Sequence, residues 1–467
     1  MPNAQEFGDS FLKFMQTMNA SAPRREAFFA GRLGAHFGRA AAELPIVEHK
    51  FPLFDQPNLQ LSLDELCAAE KDAGRTPETI GVSSEHRQYS TPDLASLATT
   101  ETDHFRSAKP GPVEYSTFQL ADGEALSCIQ CGLLLVRPGD VPLAVMVNGP
   151  TRNSYEREVS VSVMAPTREQ AESFLAGLRS RVHRLSVYRG HVLSVEWNRG
   201  MELHFHRLPV TTRESIILPG ATLQRIERQT ISFATQASAL RSAGRHLKRG
   251  VLLHGPPGTG KTLTAMYLAT QMQGRTVVLV TGRGHGLIEQ VCWLARALQP
   301  ATVILEDVDL IATDREDSSR CTSPLLFELL NQMDGLAEDA DILFILTTNR
   351  PEALEPALAA RPGRIDQAIE VALPDAECRR RLIDLYSRGI ELRISDPASL
   401  VSRTKGASGA FIKELLRRAT LLACIDGAGS VVDDRHVDES LRELVLTGAL
   451  TRRILGFTGS ESGADGA

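Results

Sequence analysis

The sequence has few of the features that mark membrane, secreted or nucleic-acid-binding proteins. No run of about 18 apolar residues occurs, so we expect no membrane-spanning helix. Residues 1–10 hold neither a basic segment nor an apolar core, and we expect no export signal. The formal net charge of -6 carries no basic excess, which argues against a general nucleic-acid binder but leaves open a local basic patch.

Cysteine is also scarce. The chain has 7 cysteines, an odd number scattered along 467 residues, so we expect no disulfide framework and a reducing, cytoplasmic location. A hydrophobic content of 42% is ample for packed cores, and the length of 467 residues predicts about two to four domains.

Hydrophobic periodicity divides the chain into segments. Helical spacing over 6–42 gives way to a polar stretch, and then strands at 132–136, 143–147, 159–164 and 192–197 surround a helix at 167–184. From residue 213 strands and helices alternate, as in a parallel sheet with crossover helices, and beyond Pro374 only helical patterns remain. We therefore predict a helical region (1–74), a linker (75–112), an α+β module (113–212), an α/β core (213–374), a helical lid (375–450) and a disordered tail (451–467).

A phosphate-binding loop is predicted at residues 254–265, HGPPGTGKTLTA. The segment fits G-x-x-x-x-G-K-[ST] and lies between an apolar run and a helix-compatible run, the context that such a loop requires. Its glycines let backbone N–H groups turn onto a phosphate at a helix N-terminus, Lys261 would reach the β and γ phosphates, and the Thr262 hydroxyl would ligate Mg²⁺. The predicted nucleotide-binding residues are Pro257, Gly258, Thr259, Gly260, Lys261, Thr262 and Leu263.

Further polar groups follow two later strands. The apolar strand at 302–305 ends in Glu306 and Asp307, where a Mg²⁺-associated carboxylate and a base for the attacking water are needed. The next strand is followed by Asn349, an amide that could orient the water at the ligand-binding edge of the sheet. Arg361 and Arg364 then offer two guanidiniums suited to stabilising charge on a transferring phosphoryl group.

These segments together resemble the AAA family of ATPases over about residues 213–447. The resemblance implies a P-loop α/β core with a helical lid, ATP and Mg²⁺ as ligands, ATP hydrolysis, and a ring, usually a hexamer, with ATP bound between neighbouring subunits. It also implies that Asn349 senses the water, that Arg361 and Arg364 are fingers completing the next subunit's site, and that Gly409 and Ala410 lie beside adenine. The matching stretches are GPPGTGKT (255–262), LLNQMDGL (329–336), TTNRPEALEPAL (347–358), RPGRID (361–366) and KGASGAFIKELLRRA (405–419).

The chain departs from the family pattern at two places. The acidic strand usually ends Asp-Glu, whereas Glu306 precedes Asp307 here. Asp309 matches the third acid of the pattern, which puts Asp307 at the catalytic-base position and Glu306 with the metal. A shorter carboxylate must approach through the backbone or an extra water, so we expect slow hydrolysis. One more residue than usual also separates Pro356 from Arg361, which leaves the register of the fingers open.

The segment Gly282–Gly286 is shorter than the pore loop of AAA unfoldases and has no aromatic residue. Together with the Glu-Asp order, this loop is similar to the branch of the mitochondrial translocase of the folded Rieske iron–sulfur subunit and its bacterial relatives. The membrane helix of that translocase is not seen in this sequence, so membrane translocation is not carried over.

Two functions follow as expectations. The first is a cytoplasmic, chaperone-like AAA ring that remodels, moves or releases a folded protein partner without threading it. The second is an ATP-gated switch or assembly scaffold with slow hydrolysis, for which nucleic acid stays open as a partner.

Overall fold

The computed structural model describes the chain in two compact units. The described residues are 10, 13, 28–83, 92–99, 108–121, 123–150, 158–197, 201–280, 287–309, 324–335, 340–352, 354 and 365–446. Unit 1 comprises residues 1–187 with 199–201, and unit 2 comprises residues 188–198 with 202–467. Within the described ranges, no helix has both the length and the apolar character needed to cross a membrane.

Unit 1 is built on an antiparallel sheet with helices on both faces. The strand order is β1-β7-β6-β5-β2-β3, and β4 also pairs with β5. The elements are α1 (Phe28–Phe37), β1 (Ile46–Pro52), α2 (Gln56–Asp72), β2 (Glu78–Ser83), α3 (Leu94–Ala98), β3 (Lys109–Gly111), β4 (Glu114–Gln119), β5 (Ala125–Val136), β6 (Leu143–Asn148), β7 (Glu158–Met164) and α4 (Arg168–Arg184).

Alternation along β5 explains why this sheet has two buried faces. Leu134 and Val136 pack in one hydrophobic cluster with residues of α2 and α4, while Leu133 and Leu135 pack in another with residues of α1 and α3. Successive side chains of a strand point to opposite faces, so an unbroken apolar run requires cover on both.

Unit 2 contains a second sheet, in the order β14-β10-β13-β12-β11-β8-β9. Strands β10 to β14 pair in parallel with their neighbours, and β8 pairs in parallel with β11. The elements are β8 (Val192–Trp197), β9 (Met201–His206), α5 (Gly220–Glu227), α6 (Ala237–Ser242), β10 (Arg249–His254), α7 (Lys261–Gln271), β11 (Thr276–Val280), α8 (Ile288–Ala297), β12 (Ala301–Leu305), α9 (Pro324–Asp334), β13 (Ile342–Thr348) and β14 (Gln367–Glu370).

The remainder of unit 2 is the lid. Its helices are α10 (Ala376–Tyr386), α11 (Pro397–Arg403), α12 (Gly409–Ile425) and α13 (Asp434–Leu446), and two short strands, β15 (Glu391–Arg393) and β16 (Val431–Asp433), pair in parallel. Ser408 begins α12 by accepting a hydrogen bond from the Phe411 N–H at 3.2 Å. A P-loop α/β core with a mainly helical lid is the fold class predicted from the sequence.

The segment boundaries differ from those predicted. The region over 1–74 contains strand β1 as well as helices, and the expected linker over 75–112 contributes β2 and β3 to the first sheet. Strands β8 and β9, expected in the module over 113–212, instead extend the second sheet, since Val192 lies opposite Val277. The small parallel pair β15–β16 interrupts the lid, for which only helices were expected.

A buried ion pair ties the amino ends of the parallel strands. Arg275 is 7% exposed and donates to Asp341 Oδ1 and to the Ala301 carbonyl, both at 2.6 Å. These residues lie at the starts of β11, β12 and β13. The amino-terminal edge of the sheet is therefore occupied by structural contacts. Ligands of parallel sheets bind at the opposite edge, beyond the carboxyl ends of the strands.

Candidate active site

The phosphate-binding loop joins β10 to α7 in a conformation that requires glycine. Gly255, Gly258 and Gly260 have φ angles of 145°, 76° and 99°. Residues with a Cβ rarely adopt such angles, whereas glycine does so at no steric cost. The loop therefore turns sharply enough to begin α7 at Lys261, with the helix N-terminus available to an anion.

The loop also packs too closely on its neighbours to accept larger residues. A Cβ at Gly255 would lie 2.3 Å from the Val371 carbonyl oxygen, and one at Gly258 would lie 2.7 Å from Ser408 Oγ. The Ala410 N–H donates to the Gly258 carbonyl at 3.1 Å. The first turn of lid helix α12 is thus bonded directly to the loop.

Lys261 is held inside this loop. Its side chain is buried, with 6% of the residue exposed, and Nζ donates to the carbonyls of Gly255 and Pro256, both at 2.8 Å. Burial lowers the pKa of Lys261 to about 8, against the opposing influence of the Asp307 and Asp309 carboxylates. The ammonium group therefore lies at the turn where the sequence predicts a phosphate. The negative charge of a bound phosphate would stabilise the protonated form of Lys261.

Thr262 and Glu306 form an oxygen-rich pair. Burial and the neighbouring Asp307 charge raise the pKa of Glu306, and a hydrogen bond with the Thr262 side chain partly offsets them. A hydroxyl and a carboxylate are ligand types that Mg²⁺ takes, usually beside waters and substrate phosphates rather than in an all-protein cage. The part of the chain that the structure describes holds no cluster of three or more His, Cys, Asp or Glu side chains placed to hold a metal ion. These two residues fit the predicted metal.

Asp307 and Asn349 are brought together. Asn349 Nδ2 donates to Asp307 Oδ1 at 3.0 Å. Asp307 has φ of 48°, in the left-handed region that Asp tolerates better than most residues, and its N–H donates to Thr347 Oγ1 at 3.1 Å. The amide and the carboxylate predicted to handle the water are therefore neighbours at the carboxyl edge of the sheet.

An apolar cleft lies beside the loop. Its walls come from the segment before α5, from the loop, and from the lid. Leu263, predicted to bind nucleotide, and Gly409, predicted beside adenine, both line it, and Leu263 is 41% exposed. Small-molecule sites are usually clefts of this kind, lined mainly by apolar and aromatic side chains with a few polar groups.

Several cleft residues were missed by sequence reasoning. Ile216, Ile217 and Leu218 lie in the segment before α5, and Leu382 and Tyr386 belong to α10. The apolar run at 216–218 was visible in the sequence, but an apolar run by itself predicts core packing as readily as a binding wall.

The predicted fingers, Arg361 and Arg364, lie outside the residues that the structure describes, as does the shortened loop at 282–286. Of the other predicted loop residues, Pro257 is exposed at the loop surface. Thr259 donates a hydrogen bond from Oγ1 to the Pro256 carbonyl at 2.9 Å and so helps to hold the loop together.

Comparison with known proteins adds a family and several relatives. A sequence model of the family described as "ATPase family associated with various cellular activities (AAA)" matches residues 251–373. A proteasome-activating nucleotidase of Pyrococcus horikoshii is 36% identical over 187 residues, which cover 38% of this chain and 47% of that protein. An ATP-dependent zinc metalloprotease FtsH of Mesomycoplasma conjunctivae is 34% identical over 232 residues, covering 46% of this chain and 30% of that protein.

A 26S proteasome regulatory subunit 6B homolog of Encephalitozoon cuniculi is 36% identical over 224 residues, covering 45% of this chain and 57% of that protein. The chain therefore spans only part of the length of these curated relatives, from 30% to 57%.

Proposed function

We propose that the protein hydrolyses ATP to act on a protein partner, from the premise that residues 251–373, which match the model of the AAA family of ATPases, form an ATPase core of that family. The observation that carries the proposal is the gathering of Lys261, Glu306, Asp307 and Asn349 around one loop at the carboxyl edge of the sheet.

The loop residues bind the nucleotide in this proposal. Backbone N–H groups between Gly258 and Lys261 receive the phosphates, and the Lys261 ammonium exchanges its bonds to loop carbonyls for bonds to phosphate oxygens. Thr262 and Glu306 would hold Mg²⁺, which when bound supplies positive charge that neutralises the phosphate oxygens. The base occupies the apolar cleft between the segment at 216–218 and the lid.

Asp307 and Asn349 handle the attacking water. Asp307 accepts a proton from the water, and the Asn349 amide holds the carboxylate in place and orients the water. The side chain of Asp307 is shorter than that of a glutamate, so its carboxylate must reach the water from a different backbone position. In this proposal the left-handed backbone conformation at Asp307 supplies that position. We keep the expectation that hydrolysis is slow.

Assembly into a ring is part of the same proposal. Arg361 and Arg364 would reach the γ phosphate of a neighbouring subunit, as the family pattern implies, and stabilise the charge of the transition state. The site in one chain is then incomplete without a second copy.

The partner is proposed to be a folded protein. The names of the relatives, proteasome-activating nucleotidase and zinc metalloprotease, point to ATPases that work on proteins. The loop at 282–286 has no aromatic residue to grip an extended chain. We therefore favour remodelling or release of a folded partner, handled by unit 1, over threading of an unfolded one.

A trapped variant tests the proposal. Asp307→Asn should bind ATP without turning it over, and partners captured on it in ATP can be added to the wild-type protein. We expect ATP turnover to rise with the partner, and the partner to leave intact and folded. Slow turnover that no captured protein changes would instead favour the ATP-gated switch, and a partner recovered unfolded would contradict the folded-cargo proposal.

A further inference from the structure

The acidic segment and the strand beside it are joined by hydrogen bonds that continue beyond the sheet. The ladder between β12 and β13 ends at the pair Leu305 and Leu346. Past that pair, the backbone N–H of Asp307 is bonded to the Thr347 hydroxyl at 3.1 Å. A hydrogen bond to a side chain therefore continues the connection between the two segments beyond the last backbone pair of β12 and β13.

Asp309 makes the next contacts. Its Oδ1 accepts from the Thr348 hydroxyl at 2.8 Å and from the Asn349 N–H at 3.3 Å. Asp309 is 6% exposed and Thr348 is fully buried. A carboxyl group this buried requires hydrogen bonds, which the Thr348 hydroxyl and the Asn349 N–H supply.

These bonds act on the residue that contacts the candidate base. Asp309 holds the backbone of Asn349, while the Asn349 side chain reaches across to Asp307 Oδ1 at 3.0 Å. The Arg350 N–H also donates to Thr348 Oγ1 at 3.0 Å, which fixes the turn on its far side. Asn349 cannot move without breaking contacts made by Thr348 or Asp309.

We propose that Thr348 and Asp309 are positioning residues that hold Asn349 against Asp307. This inference rests on the proposed hydrolysis of ATP and adds to it two side chains that need not touch the nucleotide. Because a misplacement of about 1 Å can cost about 10²-fold in rate, loss of the Thr348 hydroxyl should lower kcat by about tenfold to a hundredfold. ATP affinity should stay near that of the wild type.

Matched variants separate positioning from general damage. Thr348→Val keeps the shape and removes the hydroxyl, and Thr348→Ser restores a hydroxyl and should recover most of the lost turnover. Thr230 is equally buried, donates to the Ile226 carbonyl at 2.8 Å and lies on none of the elements of the site. Thr230→Val should therefore leave turnover unchanged.

A double-mutant cycle supplies the decisive readout. Steady-state kcat, KM and bound ATP per chain are measured for Thr348→Val, Asn349→Ala and the double variant. If Thr348 acts through Asn349, its effect on kcat should largely vanish once Asn349 is alanine. Equal fold-losses in both backgrounds, or a loss of bound ATP that matches the loss of turnover, would overturn the inference.

The same series distinguishes this inference from the proposed function. A wild-type protein that binds ATP and releases no phosphate overturns the proposed hydrolysis, and this inference with it. An active wild-type protein whose Thr348→Val variant keeps full kcat overturns the positioning role alone.

Discussion

The Ala410 N–H donates a hydrogen bond to the Gly258 carbonyl at 3.1 Å, so the lid is bonded to the backbone of the phosphate loop. A ligand that reshapes the loop must therefore act on the lid. Because the lid carries Leu382 and Tyr386 of the apolar cleft, the same contact would link the two ends of the site that we propose for the phosphates and for the base.

Two glycine variants test this loop–lid contact. Gly258 and Gly260 both have positive φ, but a Cβ at Gly258 would also collide with Ser408 and Ala410, whereas one at Gly260 meets open space. Gly258→Ala should lower the free energy of unfolding by about 1–3 kcal/mol more than Gly260→Ala, as expected for overpacking. Chemical denaturation of both variants measures the difference. Equal losses would mean that the lid yields freely at this contact.

Mixed variants test the shared site. Lys261→Ala should abolish ATP binding because the loop loses the charge that holds the β and γ phosphates. Arg364→Ala should bind ATP and lose turnover by about 10³-fold or more, as when a finger is removed. Mixing the two variants should restore activity, because a site that combines the intact loop of one variant with the intact finger of the other is complete.

The exposed Lys71→Ala variant serves as a charge-matched control in unit 1. A mixture that stays inactive at concentrations where rings form would locate the fingers elsewhere.

Asp55 should make unit 1 less stable as the pH rises. Burial raises the pKa of Asp55 to about 6, with the Asn58 hydrogen bond and His183 opposing it. The native state then holds its proton more tightly than the unfolded chain between about pH 4 and pH 6, so the free energy of unfolding falls through that window. A difference of about two pKa units corresponds to a loss of up to about 3 kcal/mol above it.

Asp55→Asn removes that ionisation and should match or exceed the wild-type stability at pH 7, measured by denaturant unfolding from pH 4 to pH 7.5. Asp55 directly precedes helix α2, and the exposed Asp72→Asn variant, at the other end of that helix, should keep the wild-type pH dependence. An Asp55→Asn protein with the wild-type pH dependence would contradict the prediction.

A reporter experiment tests the absence of threading. With no aromatic residue at 282–286, the active protein should hydrolyse ATP without unfolding a tagged, stably folded fluorescent reporter. Loss of fluorescence at a rate tied to ATP turnover would show that another segment grips the chain.

Local patterns predicted individual helices and strands well, and long-range pairings poorly. The helix predicted at 167–184 is observed as Arg168–Arg184, and the strand predicted at 192–197 has those bounds. That strand was expected in the module over 113–212, but Val192 pairs with Val277 far along the chain, and no local pattern encodes such a pairing. Strand β2 was missed because its sequence, ETIGVS, lies in a stretch dominated by polar and glycine residues.

The chemistry of the site follows the same division. Lys261, Thr262, Glu306, Asp307 and Asn349 were predicted because polar residues at strand ends and in a glycine-rich loop are visible by spacing. The left-handed backbone at Asp307 and the bonds of Thr348 to Asp309 were not, because they depend on how two strand ends separate in space.

Phosphate release by the wild-type protein and by Asp307→Asn, with bound ATP measured on the same preparations, tests the central claim most directly. We predict Mg²⁺-dependent release by the wild type, and a variant that keeps its ATP but turns it over about 10²-fold more slowly or worse. An Asp307→Asn variant that matches the wild type, beside a Glu306→Gln variant that binds ATP and Mg²⁺ but is inactive, would contradict the assignment of the base. A wild-type protein that binds ATP and releases no phosphate would contradict the proposed activity itself.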